Sequence, residues 1–305
     1  MLNNRALSTA LLAALTCAAG TGTAHAASPS GKAGSSSRAS AASAAPEARR
    51  VSVPAAGLSL LSHALRRHHV PGGKPSGTMK STNWAGYAVT GGTYNSVAAN
   101  WIEPSVTCTS NGIVGFWVGL DGWGSNSVEQ DGTGVDCERG TPQQFAWWET
   151  YPANSVQVYN APVAAGDRMS STIVAQGHGR YVMVLTDWTA RWTIKNPVTL
   201  PSGTNASAEI VAEAVTAGQD ITTLPDFGAI GFTGSAINNG SLQAAGALPI
   251  DMTDAMNAVI ATTTDADPNG DFIVNYTGTV SSAPVRSARR LQHGNAQIAA
   301  RNHRK

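Results

Sequence analysis

Chemistry in this chain has to come from carboxylates, carboxamides and hydroxyls. A single histidine, His178, lies between Ser81 and Val280, in Gln176-Gly177-His178-Gly179-Arg180, a run that reads as a hairpin turn. A Ser-His-Asp or Cys-His system would depend on that one imidazole. The same span holds two cysteines, Cys108 and Cys137, too few with one histidine for a zinc site. There is no phosphate-binding loop and no dinucleotide fingerprint on a βαβ unit. Neither a metal nor an organic cofactor is therefore expected.

The candidate acids and amides sit in a few segments. Phe116-Trp117-Val118-Gly119-Leu120-Asp121-Gly122 alternates like a strand running into a turn, with Trp117 and Asp121 on one side. Val128-Glu129-Gln130-Asp131-Gly132-Thr133-Gly134 and Trp147-Trp148-Glu149-Thr150-Tyr151-Pro152 follow. Later, Ala208-Glu209-Ile210-Val211-Ala212-Glu213-Ala214 sets two glutamates four residues apart. As a strand it separates them by roughly 13 Å, at about 3.3 Å per residue. That is too far to flank a glycosidic bond, where the carboxyl groups stand about 5–9.5 Å apart. As a helix it makes them neighbours at about 6 Å. The local composition leaves both readings open, and only the β-rich surroundings favour the strand. Singly, each segment also has an ordinary reading as core aromatic, turn or solvated strand.

The elements that must position these groups occupy part of the chain. All 19 aromatic residues of the 305 lie between Trp84 and Tyr276, so the folded unit spans about 200 residues. Within it, short apolar runs of period two are broken by Gly, Pro, Asn and Asp: Val97–Ile102, Ile113–Leu120, Met169–Ala175, Tyr181–Trp188, Arg191–Ile194 and Phe272–Tyr276. This pattern predicts an all-β antiparallel sandwich or barrel in one domain, 81–280. Charge is just as uneven. Residues 81–280 carry 18 Asp/Glu against five Arg/Lys, a net of −13, whereas 27–80 hold eight basic residues and one acid, and 281–305 six and none. An acidic unit between basic flanks is a poor partner for nucleic acid.

Residues 1–26 read as a secretory signal: Arg5, the apolar stretch Ala6 to Ala19, and Ala24-His25-Ala26 as the cleavage site. No stretch is long enough to span a bilayer, so the expected product is secreted and extracellular. In an oxidising compartment Cys108 and Cys137 are expected to form a disulfide, stabilising by roughly 3 kcal/mol in the chain-entropy model. Residues 27–80 are Ala-, Ser-, Gly- and Pro-rich and expected to be largely disordered. They include one basic amphipathic stretch with Leu58, Leu61 and Leu65 at helical spacing. This region reads as a linker or a pro-segment, and 281–305 as a basic disordered tail.

In this order the segments resemble the glutamic peptidases, or eqolisins. The landmarks are Asn83-Trp84-Ala85-Gly86-Tyr87, the Trp117–Gly122 block, Val128–Thr133, Trp147–Pro152 and Ala208–Glu213. The resemblance implies a concanavalin-like sandwich of two large curved antiparallel sheets, with a substrate groove on one face. It implies catalysis by a glutamine and a glutamate, which fall here on Gln130 and Glu209. Trp117 lies near them by the same matching, and Asp121, Glu129, Trp148, Glu149 and Tyr151 are expected along the groove. The residue after the catalytic glutamate, often Trp in similar sequences, is Ile210 here. In a strand that side chain points away from the groove.

The expected activity is that of a secreted acid endopeptidase, a monomer acting on polypeptides, with its basic pro-segment as an intramolecular inhibitor near neutral pH. Two other readings share the same residues: a lectin-like carbohydrate-binding sandwich, and a glycoside hydrolase using two of Glu129, Glu149, Glu209 and Glu213.

Overall fold

The computed structural model describes residues 77–217 and 220–278. The expected signal (1–26), the pro-segment as far as residue 76 and the basic tail (281–305) lie outside the described residues.

Strands dominate the described residues, in the order β1 (Met79–Ser81), β2 (Trp84–Thr90), β3 (Ser96–Ile102), β4 (Ile113–Asp121), β5 (Val128–Asp136) and β6 (Gln143–Tyr151). Next come β7 (Asn154–Val158), β8 (Arg168–Gly177), β9 (Arg180–Asp187), β10 (Trp192–Thr199), β11 (Ser207–Ala214), β12 (Thr216–Ala217) and β13 (Asp220–Ile221). The last are β14 (Ala229–Ile237), β15 (Gly240–Ser241), β16 (Leu248–Thr253), β17 (Val259–Thr263) and β18 (Phe272–Tyr276). A single helical turn, α1 (Leu242–Ala245), is capped by the Ser241 hydroxyl, which accepts from the Ala244 N–H, and by Gly246 in the left-handed region. Among the described residues the first strand, β1, begins at Met79, two residues before the Ser81 boundary read from composition, and pairs in parallel with β16.

Every other pairing is antiparallel, and the strand path runs β10-β9-β8-β3-β14-β18-β17-β16-β2-β11-β4-β5-β6-β7. It curls into two layers: β11 packs on β3 and β14, β4 on β3 and β8, and β5 on β8 and β9. The expected all-β antiparallel sandwich is the observed fold. Its main core fills the space between the layers, with Phe116, Val118, Leu120 and Ile210 from one side meeting Trp101, Ile173, Leu185 and Phe232 from the other. Cys108, in the segment between β3 and β4, is disulfide-bonded to Cys137 at the end of β5.

The second layer is built to carry aromatics on its outward face. On β4 and β5 that face is rich in glycine beside large or polar residues: Gly115, Trp117 and Gly119 on one strand, Gln130, Gly132 and Gly134 on the other. The indole of Trp117 lies over the glycines, and the Trp84 ring meets it edge-on at 5.1 Å. With Trp123, Phe145, Trp147 and Val211 these rings form a second apolar cluster, separate from the inter-layer core.

Candidate active site

Strand register assembles the site. Glu209 on β11 is opposite Gly119 on β4, Gly119 is opposite Gln130 on β5, and Gln130 is opposite Glu149 on β6. Register partners in a sheet share a face, so Glu209, Gln130 and Glu149 project from the same side in one row. The Cα atoms of Glu209 and Gln130 are two strand spacings apart, about 10 Å. Glycine between them carries no side chain, and the Trp117 indole lies over it. A Cβ on Gly119 would lie 2.7 Å from Cζ3 of Trp117 and 3.4 Å from Cβ of Gln130, so any side chain there would displace the indole and crowd the amide.

Each polar end in the row has defined partners. The Trp123 backbone N–H donates to Oε1 of Glu209 at 3.3 Å and to the Ser207 hydroxyl at 3.2 Å. Gln130 Nε2 donates to Oε2 of Glu149 at 2.6 Å. Two rows further along, Glu213 accepts from the Trp117 indole N–H at 2.9 Å and from the Asn83 amide at 3.0 Å, which fixes the ring beside Gly119.

Glu209, Gln130 and Glu149 are all buried. Burial pushes the Glu209 carboxyl well above the usual range, aided by the nearby Asp121 and Glu129 charges and opposed by its bonds to Ser207 and Trp123. Burial likewise raises Glu149 to about 8, with the Gln130 bond opposing and Glu213 adding. Glu213 is pushed up to about 7, again by burial, against three hydrogen bonds to Trp84, Trp117 and Asn83.

The residues expected along the groove divide by strand parity. Trp117 and Glu149 share the face of Glu209 and Gln130, as does Tyr151, half-buried at the end of β6. Glu129 and Trp148 do not: each is one residue from a member of the row and therefore points to the opposite face. Glu129 is buried between the layers, near the Tyr181 hydroxyl. Asp121 leaves the strand pleat at φ 62° and serves as a loop anchor. Its two oxygens accept from the backbone N–H groups of Thr204, Asn205 and Ala206 and from the hydroxyls of Ser127 and Thr204.

Sequence reasoning passed over Trp147, Trp123 and Ser207. Counting back by two from Glu149 reaches Trp147 rather than Trp148, and that parity was available in the sequence. The contacts of Trp123 and Ser207 with Glu209 had no local signal. His178, at φ 56° on the β8–β9 turn, is exposed.

The Peptidase A4 family model matches residues 82–276. Aspergillopepsin-2 from Aspergillus niger is 25% identical over 187 residues, and the match spans 52% of this chain and 65% of that protein's length. Scytalido-glutamic peptidase, solved with a transition state analog inhibitor, superposes with a TM-score of 0.57 at 19% identity, covering 64% of this chain and 98% of that one. SCP-B, a member of the Eqolisin family in complex with the tripeptide Ala-Ile-His, gives 0.55 at 19% identity with the same coverage. These two structures share the fold, and the family match runs through every strand of the row. The chain belongs to the Peptidase A4 family, the glutamic peptidases.

Proposed function

We propose that this protein is a secreted acid endopeptidase in which Glu209 and Gln130 hydrolyse the peptide bond. The observation that supports this most is the in-register row Glu209–Gly119–Gln130, which sets one ionisable and one neutral polar group on either side of a glycine. Family membership favours a peptidase over the lectin-like and glycosidase readings.

A substrate carbonyl placed over Gly119 would have Glu209 on one side and Gln130 on the other. Glu209 as carboxylate takes a proton from water while the water oxygen bonds to the carbonyl carbon. The carbonyl oxygen becomes an oxyanion and accepts from the Gln130 amide N–H, a contribution of about 3 kcal/mol for one such donor. Glu209 then returns its proton to the amide nitrogen as the C–N bond breaks, and leaves as carboxylate. Burial is the largest cause of the raised Glu209 pKa, so the ionised form needed for the first step requires water to reach this carboxyl.

The basic 27–80 segment is proposed to cover the acidic domain near neutral pH and to loosen as carboxylates are protonated. Among the described residues no helix is long and apolar enough to cross a membrane.

The test is degradation of an unfolded protein substrate across pH 2–8, with serine-, metal- and pepstatin-directed inhibitors present. Cleavage in acid that resists all three is expected. Absence of cleavage, with oligosaccharide bound or hydrolysed instead, would overturn the proposal.

A further inference from the structure

The row contains a third polar member whose chemistry the dyad does not use. We propose that Glu149 is a positioning residue which, as the neutral acid, lets the Gln130 carboxamide turn its N–H groups towards the gap over Gly119. This rests on the peptidase reading above and assigns Glu149 no contact with substrate.

The geometry is specific. Among the described residues, the 2.6 Å bond to Oε2 of Glu149 is the one hydrogen bond of the Gln130 side chain. The other carboxyl oxygen of Glu149, Oε1, is buried without a hydrogen-bond partner. A carboxylate can only accept, so an ionised Glu149 holds the amide NH₂ on its own side and leaves the amide oxygen facing Gly119 and Glu209. That orientation presents a lone pair where a developing oxyanion needs a donor. A neutral carboxyl has one O–H as well as an acceptor oxygen. It can donate to Oε1 of Gln130 and so allow the terminal amide to rotate by half a turn, a torsion with two broad wells. The NH₂ then faces the gap.

The surroundings keep a proton on Glu149. The ionisable side chains on its face are Glu209 and Glu213 on β11, Asp121 at the end of β4, Asp136 at the far end of β5 and Tyr151 on its own strand. Around it, β5 presents Gln130 and glycines, β7 has no ionisable residue, and β2 presents Trp84, Gly86 and Ala88. No cation is among these groups, and burial together with Glu213 moves the carboxyl up to about 8. Activity is therefore lost on the alkaline side as Glu149 releases its proton.

Two substitutions in the full chain separate this role from a merely structural one. Glu149→Gln cannot ionise but still donates and accepts. It is expected to keep kcat within about threefold of the native protein in acid and to move the alkaline limb of the kcat profile up by at least about one pH unit. Glu149→Leu is expected to lose about a hundredfold in kcat with KM within about twofold, the scale of a misplaced catalytic group.

The side-chain ¹⁵N–H₂ pair of Gln130, identified by its loss in Gln130→Ala, supplies a readout independent of activity. It is expected to shift with a midpoint near pH 8 in the native protein and not to titrate in Glu149→Gln. Native kcat in Glu149→Leu, an equal loss in both variants, or an amide pair that does not titrate would each overturn the proposal. A native protein that cleaves no peptide while its Gln130 amide still titrates would overturn the peptidase reading and leave the Glu149–Gln130 coupling standing.

Discussion

Gln130 and Asp131 are adjacent on β5, both buried, and point to opposite faces of the sheet. On the outward face Gln130 stands in a row with Glu149, a glycine and Glu209. On the inward face Asp131 lies between the two layers with the Ser171 hydroxyl as donor. Its neighbours Glu129 and Thr133 point the same way. Thr133 donates to Glu103 at 2.5 Å, and the Trp101 indole donates to the same oxygen. Both faces bury carboxyl groups without a cation, since all five basic residues of 81–280 are exposed.

The difference lies in what the acids face. Outward, the two groups proposed to do chemistry flank a glycine over which the Trp117 indole lies. Inward, each acid is closed in by packed core and serves the fold. Burial alone therefore does not mark a catalytic acid; geometry around the acid does.

Substitutions on the two faces should separate cleanly. The largest effect belongs outward: Glu209→Gln is expected to lower kcat by about 10²–10⁴ and Gln130→Ala by about 10²–10³, with unchanged circular dichroism. Retention of more than about a hundredth of native activity in Glu209→Gln would blur the distinction.

Next is the pH dependence of stability, to which both faces contribute: outward Glu149 and Glu213 are raised to about 8 and about 7. Burial raises Glu129 to about 9, Glu103 to about 8 and Asp131 to about 7. The folded protein thus holds protons that the unfolded chain releases near pH 4. The stabilisation is complete below that pH and is lost as pH rises through the folded values of 7 to 9. Each group contributes about 1.4 kcal/mol per pH unit while it is protonated only in the folded state. Thermal unfolding midpoints should fall steadily from pH 4 to pH 8; a flat profile would contradict the assignment.

Smaller still, Ser171→Ala leaves Asp131 unpaired and should destabilise by about 1–3 kcal/mol, read by denaturant unfolding, without altering kcat. Smallest of all, His178→Ala should change neither quantity measurably, and a large loss of activity would bring an imidazole mechanism back.

Much of this arrangement was legible in the sequence, for a physical reason. Ile113–Leu120, Tyr181–Trp188 and Phe272–Tyr276 alternate with period two, and β4, β9 and β18 form there within a residue or so. The strand at Arg191–Ile194 runs further than that segment, through Pro197. β10 continues to Thr199 because it is an edge strand, where a missing N–H is tolerated. Ala208–Ala214 was ambiguous locally. Pairing with β2 on one side and β4 on the other decides for strand, and neither partner is near in sequence. In the site, Glu129 and Trp148 were expected along the groove because they adjoin Gln130 and Glu149. Adjacency in a strand means opposite faces, so parity should have placed them inward. The Asp121 anchor depends on the loop 204–206, more than 80 residues away, and left no local trace.

The most direct measurement is a crystal structure of the protein bound to a peptide mimic carrying a tetrahedral hydroxyl in place of the scissile carbonyl. The account predicts the tetrahedral carbon over Gly119, with one oxygen in hydrogen-bond reach of Glu209 and another of Gln130. A mimic centred elsewhere on the molecule, with Glu209 or Gln130 untouched, would contradict it.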